Sequence, residues 1–271
     1  MAYIVCAATR VIKKISRDND VLSVTSVDDK LFVLLLRDNR QVPVYSINDY
    51  QLLRHLNVPG LKPDYNSDMT SCVRYKCLYM SDWNNNCIRR YHLASSAIRK
   101  WSVPDIPYGL SVTPSGNLLV TCLPNKLVEL SADSGQCVRE IALQSDIVNP
   151  RHGVQLTTGQ LVVCHGSGED SLYQVCVVGD DGKVTRSYGG QCGSDVGQLD
   201  CPCHLAVDKD SQFIFVADQV NRKVALLSPT LEFVRYVSEG LSYPHRLYFH
   251  QATRRLFVGQ SPFHGVAVIQ L

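Results

Sequence analysis

The sequence predicts an all-β fold, a six-bladed β-propeller with four antiparallel strands in each blade. Three observations carry this prediction: a short apolar strand recurs six times, its copies are spaced by 40 to 53 residues, and turn-forming residues separate further strands within each repeat. Self-similarity at such a period, with several short strands per unit, is typical of propeller blades. The six copies occupy residues 31–34, 78–81, 118–121, 161–164, 214–217 and 256–259.

The third repeat shows the strands of a blade most clearly. Residues 109–112, 118–121, 126–130 and 137–141 are apolar or alternating runs, and Pro, Ser, Asn, Asp and Gly cluster in the turns between them. The fifth repeat follows the same scheme, with strands at 205–207, 214–217, 223–227 and 233–236. No segment shows sustained helical periodicity with caps, so the sequence predicts strands and turns throughout.

The sixth repeat is incomplete, because its third strand at 266–269 runs into the end of the sequence. A strand-like segment at 10–15 (RVIKKI) precedes the first repeat and has no local partner. Pairing these two segments would close the ring and remove two exposed sheet edges. We therefore expect residues 1–271 to form one propeller, with the N-terminal strand within 1–15 as the outermost strand of the last blade.

Composition narrows the class of protein. The chain has 27 basic and 25 acidic side chains and a net charge of +2. This overall charge does not indicate a polyanionic partner. No apolar stretch approaches the ~20 residues of a membrane span, and the N-terminus does not resemble a secretory signal. Several of the eleven cysteines lie inside apolar strands, which favours reduced thiols and a cytoplasmic location. We expect a monomeric domain without cofactors.

Two repeats resemble a known family. Residues 216–224 (VADQVNRKV) and 80–89 (MSDWNNNCIR) resemble the core of NHL repeats, and residues 201–208 (CPCHLAVD) resemble the strand that opens such a repeat. In that family, an acidic residue after the second strand supports the turns. Asp82 and Asp218 hold this position here, and we expect both to be turn-bonding residues rather than catalytic ones, because Asp beside Asn favours local bonding to the backbone.

The arrangement as a whole is similar to the six-bladed C-terminal domains of tripartite-motif ubiquitin ligases. In those enzymes the propeller selects protein or RNA targets, while a separate RING domain performs the chemistry. The chain contains no RING, B-box or coiled coil. The resemblance therefore implies a non-catalytic binding module, which recognises a protein, a peptide or RNA and could serve a ligase of this type as its substrate-recognition domain.

The binding residues should lie on one face of the ring. Loops that lead into the first strands emerge there, together with the loops between second and third strands; we call this the loop face. Arginine with aromatic and amide neighbours suits phosphate, bases or acidic peptides. Arg151, Arg222 and Arg246 are expected to be exposed in one sector. The candidate binding residues are Arg40, Tyr108, Arg151, His152, His204, Arg222, His245 and Arg246.

A metal-dependent enzyme is the alternative. Aligning the loops that lead into each blade places Tyr108 in one column with His152, Cys203 and His245, and His204 follows one position later. Imidazole and thiolate groups that converge on the axis could bind a metal. This arrangement is faintly similar to six-bladed amidating lyases, whose zinc is bound by histidines. We expect no metal, because histidines beside a buried strand more often bond backbone carbonyl groups.

Overall fold

The protein is an all-β propeller of six four-stranded antiparallel sheets. The computed structural model describes residues 11–15, 20–36, 41–166, 172–261 and 265–271, without the side chains of 12–14. The predicted fold class is confirmed, including six blades with four strands each. Two single-turn 3-10 segments, Trp83–Asn85 and Gln251–Thr253, interrupt the strand pattern. No helix in these ranges is long and apolar enough to cross a membrane.

Each blade runs from an inner strand at the axis to an outer strand at the rim. Blade 1 contains β2 (Val21–Val27), β3 (Lys30–Leu35), β4 (Gln41–Ser46) and β5 (Leu52–Asn57); blade 2 contains β6 (Met69–Cys72), β7 (Cys77–Asp82), β8 (Cys87–His92) and β9 (Ile98–Ser102); blade 3 contains β10 (Ile106–Val112), β11 (Leu118–Leu123), β12 (Lys126–Leu130) and β13 (Cys137–Ala142).

The other three blades follow the same order, except that the last one borrows the N-terminal strand. Blade 4 contains β14 (His152–Gln155), β15 (Leu161–His165), β16 (Tyr173–Val178) and β17 (Val184–Gly190); blade 5 contains β18 (Pro202–Val207), β19 (Ile214–Asp218), β20 (Lys223–Leu227) and β21 (Phe233–Glu239); blade 6 contains β22 (Pro244–His250), β23 (Arg255–Gln260), β24 (Val266–Gln270) and β1 (Val11–Ile15).

The apolar core is divided among the interfaces between neighbouring blades. Six buried clusters each join residues of two adjacent blades. In β3, Leu31 and Val33 pack towards blade 6, whereas Phe32 and Leu34 pack towards blade 2. Successive side chains of a strand point to opposite faces of its sheet, and here both faces are buried. The recurring second strands are therefore buried along their length and mostly apolar, with Ser81 and Thr121 as polar exceptions.

The N-terminal strand closes the ring as predicted. β1 pairs antiparallel with β24, and Ile15 lies opposite Val266. The Ile15 side chain is buried in the cluster between blades 6 and 1. Closure therefore adds both a strand ladder and apolar contacts at the junction of the two chain ends.

We predict that deleting residues 1–15 lowers the melting temperature of the whole ring. The milder substitution Ile15→Ala should reduce the free energy of unfolding by roughly 2–5 kcal/mol, since it removes a buried aliphatic side chain. Chemical denaturation followed by fluorescence measures both effects. As a matched control, Val138→Ala on an exposed outer strand should change stability by no more than about 0.5 kcal/mol. Equal effects of the two point substitutions would contradict the closure argument.

Candidate functional site: the axial ring and the loop face

Each blade places one residue of its inner strand, or the residue just before that strand, at the propeller axis and opposite the end of the recurring strand. Strand register pairs Ser23 with Leu34, His152 with Cys164, His204 with Ala217 and Arg246 with Gly259. Backbone hydrogen bonding places Asp68 opposite Ser81, and Gly109 lies between register partners opposite Thr121. We call this set the axial ring: Ser23, Asp68, Gly109, His152, His204 and Arg246.

The axial ring links each blade to its neighbours. The Ser23 hydroxyl lies 2.9 Å from the Met69 carbonyl oxygen and 2.8 Å from Asp68 Oδ1. Asp68 Oδ2 accepts a 2.8 Å hydrogen bond from the Leu110 N–H of blade 3. These contacts use the backbone of the next inner strand, so they fix the spacing of blades at the axis.

The two histidines continue the same pattern. The Leu205 N–H of blade 5 donates to His152 Nδ1 over 3.4 Å, and the Leu247 N–H of blade 6 donates to His204 Nδ1 over 3.3 Å. His152 Nε2 lies 3.1 Å from the Leu110 carbonyl oxygen of blade 3. The two rings are stacked with centroids 3.7 Å apart. Each imidazole therefore bridges blades.

Glycine is required at the remaining position because two blades approach closely. A Cβ atom on Gly109 would lie 2.5 Å from the Arg151 carbonyl oxygen and 2.9 Å from His152 Cα. Both are backbone atoms of blade 4, which cannot move aside without opening the ring. The site thus depends on a missing side chain as much as on the polar ones.

Opposite charges meet at the centre of the ring. Arg246 and Asp68 are each about 1% exposed, and Arg246 Nε lies 3.5 Å from Asp68 Oδ1. The guanidinium also donates to the Ser67 and His245 carbonyl oxygens. Burial opposes ionisation of Asp68, but the N–H of neighbouring His204 and the charge of Arg246 outweigh it and hold the pKa of the carboxyl well below its usual range. The buried carboxylate is therefore charged and balanced by Arg246.

The histidines of the ring are neutral. Burial, together with the neighbouring His204, lowers the pKa of His152 to about 3, although Asp68 acts in the opposite direction. Burial also lowers the pKa of His204 and of His245. A neutral imidazole has one N–H and one lone pair. In both ring histidines the lone pair lies at Nδ1, where it accepts a backbone N–H, so Nε2 carries the hydrogen.

This tautomer assignment decides how well the ring suits a metal. Asp68, His152 and His204 are the one group of three potential ligands in the described residues, and their ligand atoms lie within 4.8 Å of one another. A metal between them would need a lone pair on Nε2 of each histidine, so the hydrogen would move to Nδ1. Each Nδ1–H would then face the N–H donor of Leu205 or Leu247, and both hydrogen bonds would be lost. It would also face the cationic Arg246. The donor set favours a structural brace over a metal site.

The structure corrects the column inferred from sequence. Arg151, not His152, is equivalent to Cys203 and His245, because β18 and β22 carry a bulge before the ring residue and β14 pairs without one. Cys203 is buried, and its Sγ contacts the Pro244 and His245 carbonyl oxygens. The alternative ligand set His152, Cys203, His204 and His245 is therefore not assembled as such.

The expected sector of three exposed arginines is wrong for Arg246, which is buried in the axial ring. Arg151 is half-buried, and its guanidinium lies over the Tyr108 ring and donates to the Tyr108 hydroxyl. Arg222 is exposed and lies over the Tyr243 ring, 4.9 Å from its centroid. Four further candidate binding residues are buried as well, namely Tyr108, His152, His204 and His245. Arg40 lies outside the described residues.

Exposed aliphatic side chains mark the loop face at blades 4 and 5. Val148 and Leu172 belong to the loops of blade 4, where Gly166 bonds the Val148 carbonyl oxygen and lies against the backbone of Leu172. Val196 and Val220 belong to blade 5, where Asn221 Nδ2 bonds the Gly193 carbonyl oxygen. The four side chains are 43% to 62% exposed. We call these residues the apolar patch.

Asp82 and Asp218 both bond nearby groups; Asp218 accepts a backbone N–H as expected, whereas Asp82 accepts from side chains. Asp82 accepts hydrogen bonds from Asn85 Nδ2 and Arg89 Nε. Asp218 accepts from the Asp200 N–H and Asn221 Nδ2, both 2.8 Å away. These carboxylates stabilise the loop face and are already engaged.

Sequence reasoning missed Asp68. It lies in a loop with Pro63, Asp64 and Asn66, and an acidic residue among such neighbours is typical of a turn. The available signal was its distance of 13 residues from Ser81 at the end of the recurring strand, which matches the spacing of His204 from Ala217. Alignment from the recurring strands rather than from the loops would have revealed it.

The chain is similar in fold to several solved structures. Hydrazine synthase from Kuenenia stuttgartiensis matches with a TM-score of 0.67 at 14% identity, covering 100% of this chain and 99% of that chain. A catalytically inactive histidine-to-alanine variant of virginiamycin B lyase from Staphylococcus aureus, with quinupristin, matches with a TM-score of 0.66 at 13% identity, covering 97% and 88%. The Cps50 (Swd1) β-propeller domain of Myceliophteria thermophila matches with a TM-score of 0.60 at 12% identity, covering 93% and 82%.

These identities show a shared propeller fold and nothing narrower. The matched proteins include a lyase and the β-propeller domain of Cps50 (Swd1). The shared fold therefore does not indicate which function this chain has. No protein family matches the chain, and no curated protein matches it in sequence.

We predict that Asp68 and Arg246 are strongly coupled in stability. Arg246→Met leaves a buried carboxylate without its cation, and Asp68→Asn leaves a buried guanidinium without its anion, so each should cost roughly 3–5 kcal/mol. The double variant should cost clearly less than the sum of the two. Urea unfolding of all four proteins measures the cycle. Additive losses would show that the pair does not interact.

We predict that stability falls as the pH is lowered from about 6.5 towards 3, because unfolded His152 binds a proton that the folded protein excludes. Asp68, His204 and Arg246 surround this imidazole from blades 2, 5 and 6, and buried His204 and His245 act in the same direction. His152→Gln should reduce the slope of unfolding free energy against pH. His55→Gln on an outer strand should keep the parent slope, since the His55 side chain is exposed. Identical slopes in all three proteins would contradict the assignment.

Proposed function

We propose that the chain is a non-catalytic protein-binding propeller whose partner docks on the loop face over blades 4 and 5. The observation that carries the proposal is the apolar patch of Val148, Leu172, Val196 and Val220. These four side chains lie on loops of two adjacent blades, and exposed apolar surface on one face is a feature of protein interaction sites. The rigid blades hold these loops in place, which suits recognition without large rearrangement.

Protein is favoured over RNA because two of the three arginines expected on the loop face, Arg151 and Arg246, are already engaged. Arg246 is buried at the axis, and Arg151 bonds Tyr108. Arg222 stays exposed on the ring of Tyr243 and could pair with one acidic side chain of a protein partner. RNA binding would need several free cations along a backbone path.

A non-catalytic function is favoured because the polar groups at the axis are used to hold blades together. His152 and His204 each present their lone pair to a backbone N–H, so neither offers a free base or metal ligand at Nε2. The amidating-lyase alternative requires these groups to be available. Their bonding therefore supports a binding module.

The resemblance of two repeats to NHL repeats supports a more specific assignment of this module. We infer an NHL-type propeller of one domain that recognises substrates for a tripartite-motif ubiquitin ligase. Asp82 and Asp218, which bond loop residues at the family position, support this inference. The ten cysteines in the described ranges are all unpaired thiols, which supports a location in the reducing cytoplasm.

We predict that Val196→Asp combined with Val220→Asp abolishes partner binding, because each introduces a charge into a desolvated apolar contact. The immobilised protein is incubated with nuclease-treated cytosolic extract, and the retained proteins are quantified by mass spectrometry. A reproducible set should be retained by the parent and lost from the double variant. Thermal unfolding should be unchanged, since both side chains are exposed.

The matched control is Val138→Asp combined with Val234→Asp, which alters valines of similar exposure on the outer strands. This control should retain the same proteins as the parent. Equal retention by all three proteins, or loss only from the outer-strand variant, would overturn the choice of surface. Retention that disappears whenever nuclease is present would favour RNA instead.

A further inference from the structure

The axial channel forms a cavity of about 220 Å³ that is separate from the loop face. All six inner strands line it, and His152 and His204 of the axial ring form one end. Its other lining residues lie towards the turns between first and second strands, which emerge on the opposite side of the propeller. We call that side the turn face. The channel is therefore a pocket that opens on the turn face and ends at the axial ring.

The wall of the cavity is apolar or already hydrogen-bonded. Thr25 Oγ1 pairs with Ser71 Oγ at 2.7 Å, and Ser26 Oγ pairs with the Tyr248 hydroxyl at 2.6 Å. Between them lie aliphatic groups such as Leu205. An apolar cavity of about 150 Å³ already accommodates benzene, so this one has room for an aliphatic or aromatic side chain. The wall selects an apolar group.

The mouth of the cavity adds two polar groups on one side. Gln251 Nε2 donates to the Val207 carbonyl oxygen, which places this amide beside the turn that contains Lys209. Gln251 Oε1 is buried and has no hydrogen-bond partner. Lys209 is exposed and is the one charged side chain among the described lining residues at neutral pH. Asp208 nearby is engaged by Arg254 and Ser211.

We propose that this cavity binds an N-acylated apolar α-amino acid. The apolar side chain would occupy the channel, the amide N–H would donate to Gln251 Oε1, and the carboxylate would pair with Lys209 Nζ. This chemistry satisfies the buried acceptor, the free cation and the apolar wall together. It is shared by free N-acyl amino acids and by the C-terminus of a peptide, which proteins capture through carboxylate recognition.

The proposal is independent of the protein-binding function, because the two sites open on opposite faces of the ring. Val196→Asp combined with Val220→Asp should leave ligand binding at the turn face unchanged. Conversely, substitutions at Lys209 should leave protein retention by the loop face unchanged. Failure of one proposal is therefore distinguishable from failure of the other.

The test measures binding of N-acetyl-L-leucine to the full chain by calorimetry and by protein-detected NMR. We expect saturable binding, with the largest chemical-shift changes in the inner-strand residues Thr25, Leu205 and Val207. N-acetyl-L-leucinamide, which lacks the carboxylate, should bind about tenfold more weakly, a difference of about 1.4 kcal/mol. An acetylated pentapeptide that ends in leucine distinguishes the two sources of the ligand. If the peptide binds more tightly than N-acetyl-L-leucine, the natural ligand is a peptide C-terminus. If the peptide does not bind, the natural ligand is a free N-acyl amino acid.

Lys209→Gln should weaken the acid about tenfold and leave the amide unaffected, because only the acid uses the ammonium group. Lys62→Gln, an exposed lysine on the loop face, is the matched control and should bind like the parent. Gln251→Leu should weaken both ligands, since both carry the amide N–H. The proposal is overturned if acid and amide bind equally, if Lys209→Gln has no effect on the acid, or if none of these probes binds.

Discussion

The second strand of each sheet is buried on both faces, and this constraint governs the architecture. Successive side chains of a second strand such as β3 enter different interfaces, so one blade completes its core only with a neighbour on each side. An open row of such blades would expose an apolar face at both ends. Closing the row into a ring removes both faces, and pairing β1 with β24 also satisfies two strand edges. Stability is therefore a property of the ring rather than of single blades.

Closure creates a second requirement at the axis, where six inner strands converge. Polar side chains there must find partners, because buried polar groups without them are costly. The axial ring meets this requirement by bonding neighbouring blades, with His152 and His204 accepting N–H groups of the next strand. The Asp68–Arg246 pair balances the buried charge. Residues that resemble a catalytic constellation in sequence thus act as braces between blades.

The polar side chains of the axial ring are occupied with bonds between blades, so binding is proposed on two other surfaces, the loop face and the turn face, which differ in chemistry. The loop face presents exposed aliphatic side chains on blades 4 and 5, and a protein surface is the natural complement to them. The turn face opens into a channel with hydrogen-bonded hydroxyls, apolar walls and one cation at its mouth. The axial ring lies between the two and separates them. The two proposed sites therefore open on opposite faces of the ring, so a partner on one face would not compete with a ligand on the other.

The sequence by itself determined the repeat, the four strands of each blade and the closing strand, because strand periodicity and turn residues are local properties of the chain. It also identified Asp82 and Asp218 as turn-bonding residues, since their partners lie within a few positions or in the adjoining loop. Only the tertiary structure decided which residues meet at the axis. Bulges in β18 and β22, absent from β14, shift the register by one residue and place His152 beside His204 and Arg246. Asp68 joins them from a blade on the other side of the ring, and such a contact depends on closure rather than on any pattern within one repeat.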